Sequence, residues 1–286
     1  MDDFQSQLDA FSQQVEEELR EGALSFPTVF DLSLRIKKLA DDPDSSLNDI
    51  TAAVRAEPVL AAKVIRMANT LSMNPYRGEI TGLPQAIGRI GLSTLRCLAF
   101  AVAAEQVARD HRSRQMRLIA TGLWMHSVDV ASWACAFAHH LGRRDADAAM
   151  LAGLVLDIGQ FFLLARAARY PALEGDMGRF AEAVAVWDDP VRGAILEDFG
   201  MPEVIIDACT SDPIAITAWP PVALNDVLHL ATLAAETPNP FDSLLGIQNR
   251  PELRDASLGE VGASEFETLV AEARETRLEL ISAVRD

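Results

Sequence analysis

The sequence predicts an all-α protein, and three observations support this fold class. Apolar residues recur at spacings of three and four along most of the chain, which is the period of one helix face. Convincing segments that alternate apolar and polar residues, as half-buried strands do, are absent. Signals that begin and end helices, such as capping boxes, first-turn prolines and terminal glycines, separate the periodic segments.

The first predicted helix shows the pattern clearly, because its apolar residues share one face and Gly22 can end it. These residues are Phe4, Leu8, Phe11, Val15 and Leu19. Further helices are predicted over residues 28–40, from a capping box at Ser46–Asp49 to residue 56, from Pro58 onward, over 83–90 and over 93–108. Asn69, near the end of one of them, is expected to bond to backbone groups.

The second half of the chain continues the helical pattern. Helices are predicted over residues 114–141, over 145–168, after an N-cap at Asp189 with Pro190 in the first turn, from Pro202, and up to about residue 236. Residues 237–262 are rich in turn formers and are expected to be irregular. A capping box at Ser264–Glu267 predicts the start of a last amphipathic helix that runs to Val284. Both terminal helices should bury their apolar faces.

Composition and charge limit the classes of partner and compartment. A net charge of −17 over 286 residues disfavours nucleic acid, whose phosphates attract clusters of Lys and Arg. The first residues lack the basic and apolar segments of a secretory signal, and the apolar stretch 148–156 is too short to span a bilayer. Three widely spaced cysteines, Cys97, Cys135 and Cys209, indicate a reducing compartment. We therefore expect a cytoplasmic protein without a membrane partner.

One basic cluster departs from the acidic balance. It consists of Arg109, His111, Arg112, Arg114 and Arg117. The interpretation we favour is a solvated helix start or linker, since charged clusters usually face water. The alternative is a small site for an anion or a nucleotide. Phosphate-binding loops, the GxSxG and HExxH motifs and EF-hand loops do not occur in the sequence, so the residues alone assign no chemistry.

Two groups of short motifs resemble the HDOD (HD-related output domain) family. The first group lies in the amino-terminal half and comprises Phe26-Pro27, Asp42-Pro43, Glu57-Pro58, Ala68-Asn69, Ala86-Ile87 and Gly91. The second group comprises Leu123-Trp124-Met125-His126-Ser127, the segment 152–160, and the segments 193–196 and 199–202. Each motif is weak alone, but their order and spacing are specific, and the resemblance extends from about Leu24 to Glu236.

The resemblance implies a fold and a division of the chain. HDOD domains are all-α, with an amino-terminal helical bundle packed on a helical subdomain related to the HD phosphohydrolases. Applied to this sequence, it gives an amino-terminal amphipathic helix over 1–22, a bundle over 23–110, a degenerate HD-like subdomain over 111–240, and a carboxyl-terminal loop and amphipathic helix over 241–286. The seam between the two subdomains is expected near residue 110.

The same resemblance implies that the metal ligands of the HD phosphohydrolases are incomplete here. Those enzymes hold metal with a His, a His-Asp pair and a later Asp. His126 matches the first His and Asp157 the Asp of the pair, but Leu156 stands where the paired His belongs and Thr232 where the later Asp belongs. Asp189 and the segment 209–211 also replace positions that often carry His. A catalytic metal usually has at least three protein ligands, so we expect no metal, no cofactor and no catalysis.

The remaining pair, His126 and Asp157, has two interpretations. It either lines a vestigial pocket or, as we favour, consists of a core His hydrogen-bonded to a buried carboxylate, because buried polar groups need partners whatever the function. Three functions stay open. The first is a non-catalytic signalling module with a protein partner, with self-association into a homo-oligomer as a further option. The second is a nucleotide or anion sensor, and the third is a residual phosphohydrolase.

Overall fold

A computed structural model of the chain describes residues 3–22, 24, 31–70, 73–74, 78–110, 113–143, 145–211, 219–247 and 251–285. Every regular element in this part of the chain is a helix, which confirms the predicted fold class. The helices are α1 (Asp3–Glu21), α2 (Asp31–Asp41), α3 (Leu47–Arg55), α4 (Pro58–Ala68), α5 (Leu83–Asp110), α6 (Arg114–His140), α7 (Ala146–Val155), α8 (Ile158–Ala167), a 3-10 turn (Pro171–Gly175), α9 (Met177–Asp198), α10 (Glu203–Thr210), α11 (Leu224–Ala234), α12 (Pro240–Leu244) and α13 (Pro251–Arg285).

Several predicted helix boundaries are confirmed together with their chemistry. The Ser46 hydroxyl accepts a hydrogen bond from the backbone N–H of Asp49 at 3.3 Å, and the Ser46 N–H donates to the Asp49 carboxylate at 2.9 Å. This reciprocal capping box satisfies two helix-end donors of α3. Asn69 follows α4 and exchanges two hydrogen bonds with the backbone of Ile80, at 2.7 and 2.9 Å, so its predicted structural role is also confirmed.

Helix α5 consists of two helical segments that meet at Gly91. The φ of Gly91 is 76°, a left-handed conformation that residues with a Cβ rarely adopt. The two predicted helices, over 83–90 and 93–108, are therefore confirmed as segments on either side of this kink.

The predicted single helix over 145–168 is wrong, because the structure divides it into α7 and α8 at Leu156–Asp157. The break does not coincide with Gly153 or Gly159, which instead allow close packing. A Cβ on Gly153 would lie 2.4 Å from the Cα of Ala131 on α6. The break moves Asp157 to the N-cap of α8, where its carboxylate is free to bond to other elements.

The predicted helix start at Asp189–Pro190 is also wrong. Helix α9 begins at Met177, where the Asp176 side chain accepts a hydrogen bond from the N–H of Arg179 at 3.1 Å, and Pro190 lies within the helix. Proline removes one helical N–H, so the carbonyl of Val186, one turn earlier, loses its partner. Val186 is on an exposed part of the helix, where water can take that place.

Residues 237–262, predicted to be irregular, contain α12 and the first turns of α13. A proline begins each of these two helices, at Pro240 and Pro251, and proline is favoured in a first turn because its missing N–H would be unpaired there anyway. The predicted capping box at Ser264–Glu267 lies inside α13 and does not begin it. The turn-forming residues of this region therefore mark helix starts more often than loops.

One hydrophobic core extends across the described helices, with α6 at its centre. The terminal helices bury their apolar faces against it, as predicted. On α1, the Phe11 ring lies 5.8 Å from the rings of both Tyr170 and Phe180, so α1 packs on α9 and the preceding turn. On α13, Phe266 and Leu280 are buried, and the helix contacts both α6 and α4.

The most apolar segment, Ala146–Ala167, is long and apolar enough to cross a membrane by length and composition, with a mean hydropathy of 1.9. The apolar run is thus longer than the stretch 148–156 that the sequence pattern singles out. In the structure, 78% of the 18-residue stretch that has this hydropathy is buried within the protein, and the segment is divided into α7 and α8. Such burial is what a pair of core helices produces.

Candidate functional site

An open pocket lies between the end of α7 and helices α9, α10 and α11. Its empty volume, including the open space at its mouth, is about 570 Å³. The residues that line it are Leu156, Arg192, Ala208, Cys209, Ser211, Asn225, Asp226, Leu228, His229 and Thr232. The two positions at which a metal ligand is missing from the sequence, Leu156 and Thr232, therefore face the same pocket.

The remaining pair of HD-type residues is buried and does not line this pocket. His126 on α6 is 7% exposed, and its Nδ1 donates to the carbonyl oxygen of Thr237 at 2.7 Å. Asp157 is 3% exposed and accepts hydrogen bonds from the Ser127 hydroxyl at 2.6 Å and from the Asn239 amide at 3.2 Å. The favoured interpretation, in which His126 is hydrogen-bonded to a buried carboxylate, is wrong, because the partner of His126 is the carbonyl oxygen of Thr237. Both His126 and Asp157 are nevertheless buried and hydrogen-bonded.

A chain of hydrogen bonds connects Asp157 to the pocket. The amide of Asn239, which also caps α12, donates to both Asp157 and the Gln160 side chain, the latter at 3.0 Å. The Gln160 amide donates in turn to the Asp188 carboxylate at 3.2 Å. Arg192, at the pocket wall, completes the chain by donating to the same Asp188 oxygen at 2.5 Å. We call these five residues the polar network.

Arg192 is the hub of the network on the pocket side. Its Nη2 also pairs with Asp189 at 2.8 Å, and its Nη1 donates to the backbone carbonyl of Cys209 at 2.6 Å. Burial lowers the pKa of this guanidinium, but Asp188, Asp189 and Asp157 outweigh that effect and raise the pKa above its ordinary value. Arg192 is therefore a permanent positive charge surrounded by carboxylates.

Asp188 is the member of the network whose hydrogen bonding is incomplete. One carboxylate oxygen, Oδ1, is buried without a hydrogen-bond partner, and burial raises the pKa of the group to about 6 although Arg192 acts in the opposite direction. A Cβ added to Gly159 would lie 2.4 Å from this oxygen. The first turn of α8 thus approaches Asp188 closely, and only a residue without a side chain fits there.

The opposite wall of the pocket carries His229, Asp226 and Thr232 from α11. Burial lowers the pKa of His229, while the carboxylate of Asp226 acts to raise it, so the imidazole is neutral at physiological pH. The Thr232 hydroxyl donates to the carbonyl oxygen of His229 at 2.7 Å, which is bonding within the helix. This wall offers neutral polar groups and one carboxylate.

These residues do not fit a metal ion of the HD type. Leu156 has no donor atom, Thr232 offers a hydroxyl that is already bonded, and both oxygens of Asp157 accept hydrogen bonds from neighbouring side chains. Among the residues that the structure describes, no three His, Cys, Asp or Glu side chains come together as a metal site requires. The chemistry of this set of residues is that of a polar site in which an arginine already bonds to the carboxylates.

Sequence reasoning also missed a buried ion pair between α6 and α13. Asp129 on α6 is fully buried and pairs with Arg277 of α13 at 2.7 Å, and it also accepts from the backbone N–H groups of Glu236 and Thr237 at 2.9 Å each. Arg277 lies over the Trp133 ring, 5.2 Å from its centre. A charged residue within the apolar sequence of α6 was the available signal, since buried carboxylates require partners.

The structure describes only part of the predicted anion patch. Arg114 and Arg117 lie in the first turn of α6, where Arg114 is exposed and Arg117 is half-buried. The side chain of Arg109 and all of Arg112 lie outside the described residues. The patch stays a prediction.

Comparison with protein families gives one match. A family model described as the HDOD domain matches residues 26–182, more than half of the chain. A search of curated proteins finds no match.

Several solved structures are similar along most of this chain. A protein of Shewanella amazonensis SB2B, provisionally named a metal-dependent phosphohydrolase, has a TM-score of 0.63 and 20% identity, and the alignment covers 94% of this chain and 99% of that one. An HDOD domain protein of unknown function from Geobacter sulfurreducens has a TM-score of 0.54 and 22% identity, with 96% and 97% covered. A signal transduction protein, also provisionally named, from Marinobacter aquaeolei VT8 has a TM-score of 0.51 and 16% identity, with 98% and 66% covered. At these identities the similarity shows the shared fold.

Proposed function

This chain belongs to the HDOD domain family, and on that premise we propose that it is a bacterial regulatory protein of signal transduction that acts by binding a protein partner, without catalysing a reaction. The observation that carries the proposal is the pocket at which Leu156 and Thr232 meet. An HD-type hydrolase needs metal-activated water and charge neutralisation at this place. Neither side chain supplies a charge or a free donor atom for that chemistry.

The surface charge supports a protein partner. With a net charge of −17, the chain repels nucleic acid and anionic membrane surfaces and attracts proteins that carry basic patches. Such complementarity raises the association rate and depends on salt. Self-association into a homo-oligomer stays a further form of binding, although this net charge makes copies of the chain repel one another. The names of similar proteins, which include a signal transduction protein, agree with a regulatory role.

The test compares turnover with regulation in one variant. His126→Gln removes the imidazole, while the Gln amide can still donate to the Thr237 carbonyl, so the fold should survive. A deletion strain complemented with this variant should behave as the wild type does, and the purified wild-type protein should not hydrolyse phosphodiesters with added Mn²⁺, Fe²⁺ or Mg²⁺. A folded His126→Gln protein that fails to complement, together with hydrolysis by the wild type that this substitution abolishes, would overturn the proposal.

A second candidate function, ligand sensing, is favoured by the pocket itself. Its volume and its mixture of apolar and polar lining suit a small molecule. The carboxylates around Arg192 make a nucleotide phosphate or other anion a poor occupant, and the guanidinium disfavours a second cation, so the ligand would be neutral. Calorimetric titration with nucleotides and with small neutral molecules separates these ligand classes. Residual metal-dependent hydrolysis is the third candidate, and the incomplete ligand set gives it the least support.

A further inference from the structure

Arg192 lies where several acidic groups converge. It pairs with Asp188 at 2.5 Å and with Asp189 at 2.8 Å, and the carboxylate of Asp157 acts on it electrostatically. The guanidinium side chain is 12% exposed and that of Asp188 is 9% exposed, so water screens their interaction little. Without Arg192, the buried carboxylate of Asp188 would lack its counter-charge and would still be repelled by Asp157.

The position of Arg192 in the pocket is as informative as its charge. It lines the same cavity as Leu156 and Thr232, where two metal ligands are missing. It also bonds to Asp189 and to the Cys209 carbonyl, two of the places at which the family resemblance puts further His residues. The guanidinium of Arg192 therefore lies beside the positions at which the family resemblance leads us to expect metal ligands.

We propose that the guanidinium of Arg192 is a built-in cation that takes up the carboxylate oxygens of Asp188 and Asp189 at this pocket and thereby excludes divalent metal ions from it. A guanidinium presents five N–H donors in a fixed plane and keeps its charge at all accessible pH values, so it can hold several acceptors permanently. A second, divalent cation beside it would meet like-charge repulsion. The inference rests on the non-catalytic function proposed above and supplies a physical reason for it.

The first experiment restores the missing ligands with and without Arg192. Full-length Leu156→His/Thr232→Asp and Leu156→His/Thr232→Asp/Arg192→Met proteins are dialysed against Mn²⁺ and analysed for bound metal. We expect close to one Mn²⁺ per chain in the triple variant and an affinity at least about tenfold weaker in the double variant, as for a coupling of about 1.4 kcal/mol. Equal Mn²⁺ binding by both variants would overturn the proposal, and so would no binding by a folded triple variant.

A matched control keeps the charge and changes only the shape of the group. Leu156→His/Thr232→Asp/Arg192→Lys retains a positive charge in the pocket, so it should resist Mn²⁺ as the double variant does. Metal binding by this variant at the level of the Arg192→Met variant would count against charge as the cause of exclusion.

A double-mutant cycle decides the question even if the triple variant does not fold. Arg192→Met alone should lower the melting temperature by about 5–15 °C, because it leaves a buried carboxylate without its counter-charge. Arg192→Met/Asp188→Asn should recover most of that loss, since the carboxylate charge is removed as well. Additive losses would refute charge balance. Hydrolysis by the wild-type protein would instead refute the proposed function, so the two failures are distinguishable.

Discussion

Two buried ion pairs of this protein, Asp129–Arg277 and Asp188–Arg192, differ in how completely their atoms are bonded. Asp129 accepts four hydrogen bonds, two from Arg277 and two from backbone N–H groups, and has no exposed surface. Asp188 pairs with Arg192, but its Oδ1 and the Nε of Arg192 are buried without partners. Both pairs join a carboxylate to an arginine in the same hydrophobic core.

We interpret the difference as one between a structural pair and a pair at the proposed functional site. The Asp129–Arg277 pair connects α13 to α6 and to the turn at Thr237, whose carbonyl oxygen accepts the hydrogen bond of His126. Both carboxylate oxygens of Asp129 accept two hydrogen bonds each. Fully bonded networks of this kind make a fold rigid and specific. The Asp188–Arg192 pair borders an open pocket and keeps unsatisfied atoms at a cost in stability. Costs of this kind are found where a site serves something other than folding.

The largest effect is expected from the fully bonded pair. Arg277→Met should lower the free energy of unfolding by about 3–5 kcal/mol, because Asp129 stays buried after losing its counter-charge. The cation–π contact with Trp133 is lost as well. Thermal or urea unfolding followed by circular dichroism measures the change.

The matched control for this prediction is on the same helix. Arg274 is 61% exposed and lies 3.9 Å from Glu236, so Arg274→Met should change stability by no more than about 0.5 kcal/mol. Equal losses for the two variants would mean that the charge of α13 as a whole, and not the buried pair, determines stability.

Close packing around the second pair gives the next largest effect. Gly159→Ala places a Cβ about 2.4 Å from Asp188 Oδ1 and 2.6 Å from the Asp188 carbonyl oxygen. A backbone atom cannot move aside as a flexible side chain can, so we expect a loss of about 3 kcal/mol, measured by urea unfolding.

Gly88 provides the comparison for that substitution. It is also helical, but a Cβ at Gly88 meets nothing within 4 Å. Gly88→Ala should therefore raise stability by about 0.5–1 kcal/mol through helix propensity. If both glycine variants are stabilised, the close approach of α8 to Asp188 is not a constraint in solution.

The sequence predicted the fold because helix periodicity and cap chemistry are local properties. The capping box of Ser46 and the kink at Gly91 were both predictable from a few neighbouring residues. Boundaries failed where tertiary contacts override local preference. Pro190 is accommodated inside α9, and the apolar run after Ala146 is divided at Asp157, whose carboxylate bonds to α6 and to the cap of α12.

The site could be predicted only in part for the same reason. The family resemblance predicted that Leu156 and Thr232 stand where metal ligands are expected, and the structure places both residues at one pocket. Arg192 and Asp188 were missed because their importance depends on which distant elements they face. Gln160 and Asn239 are 79 residues apart in the sequence, and nothing local predicts their hydrogen bond.

The titration of Asp188 gives the Asp188–Arg192 pair a pH dependence that can be measured. Its pKa is about 6 in the folded protein and near the ordinary 3.8 when unfolded. Between these values the folded state holds a proton that the unfolded state has released, so stability from this group is fully present below about pH 4 and is lost as pH rises towards 6. From about pH 4.5 to 6.0, the stability of the wild type relative to Asp188→Asn should fall by roughly 1–2 kcal/mol.

Urea unfolding of both proteins across this range checks the sign, since other titrating groups cancel in the difference. A relative stability that rises with pH would show that Arg192 lowers the pKa of Asp188 more than burial raises it.

The smallest effect is expected at Asp189, the exposed partner of Arg192. Its side chain is 74% exposed although it lies only 2.8 Å from Nη2. Water and salt screen such a contact, and Arg192 keeps its bonds to Asp188 and to the Cys209 carbonyl when Asp189 is neutralised. Asp189→Asn should therefore change the free energy of unfolding at neutral pH by no more than about 0.5 kcal/mol, and by less at high salt. A loss of about 2 kcal/mol or more would mean that the charge of the pocket is balanced mainly at its rim, and the distinction between a buried pair and its exposed neighbour would not hold.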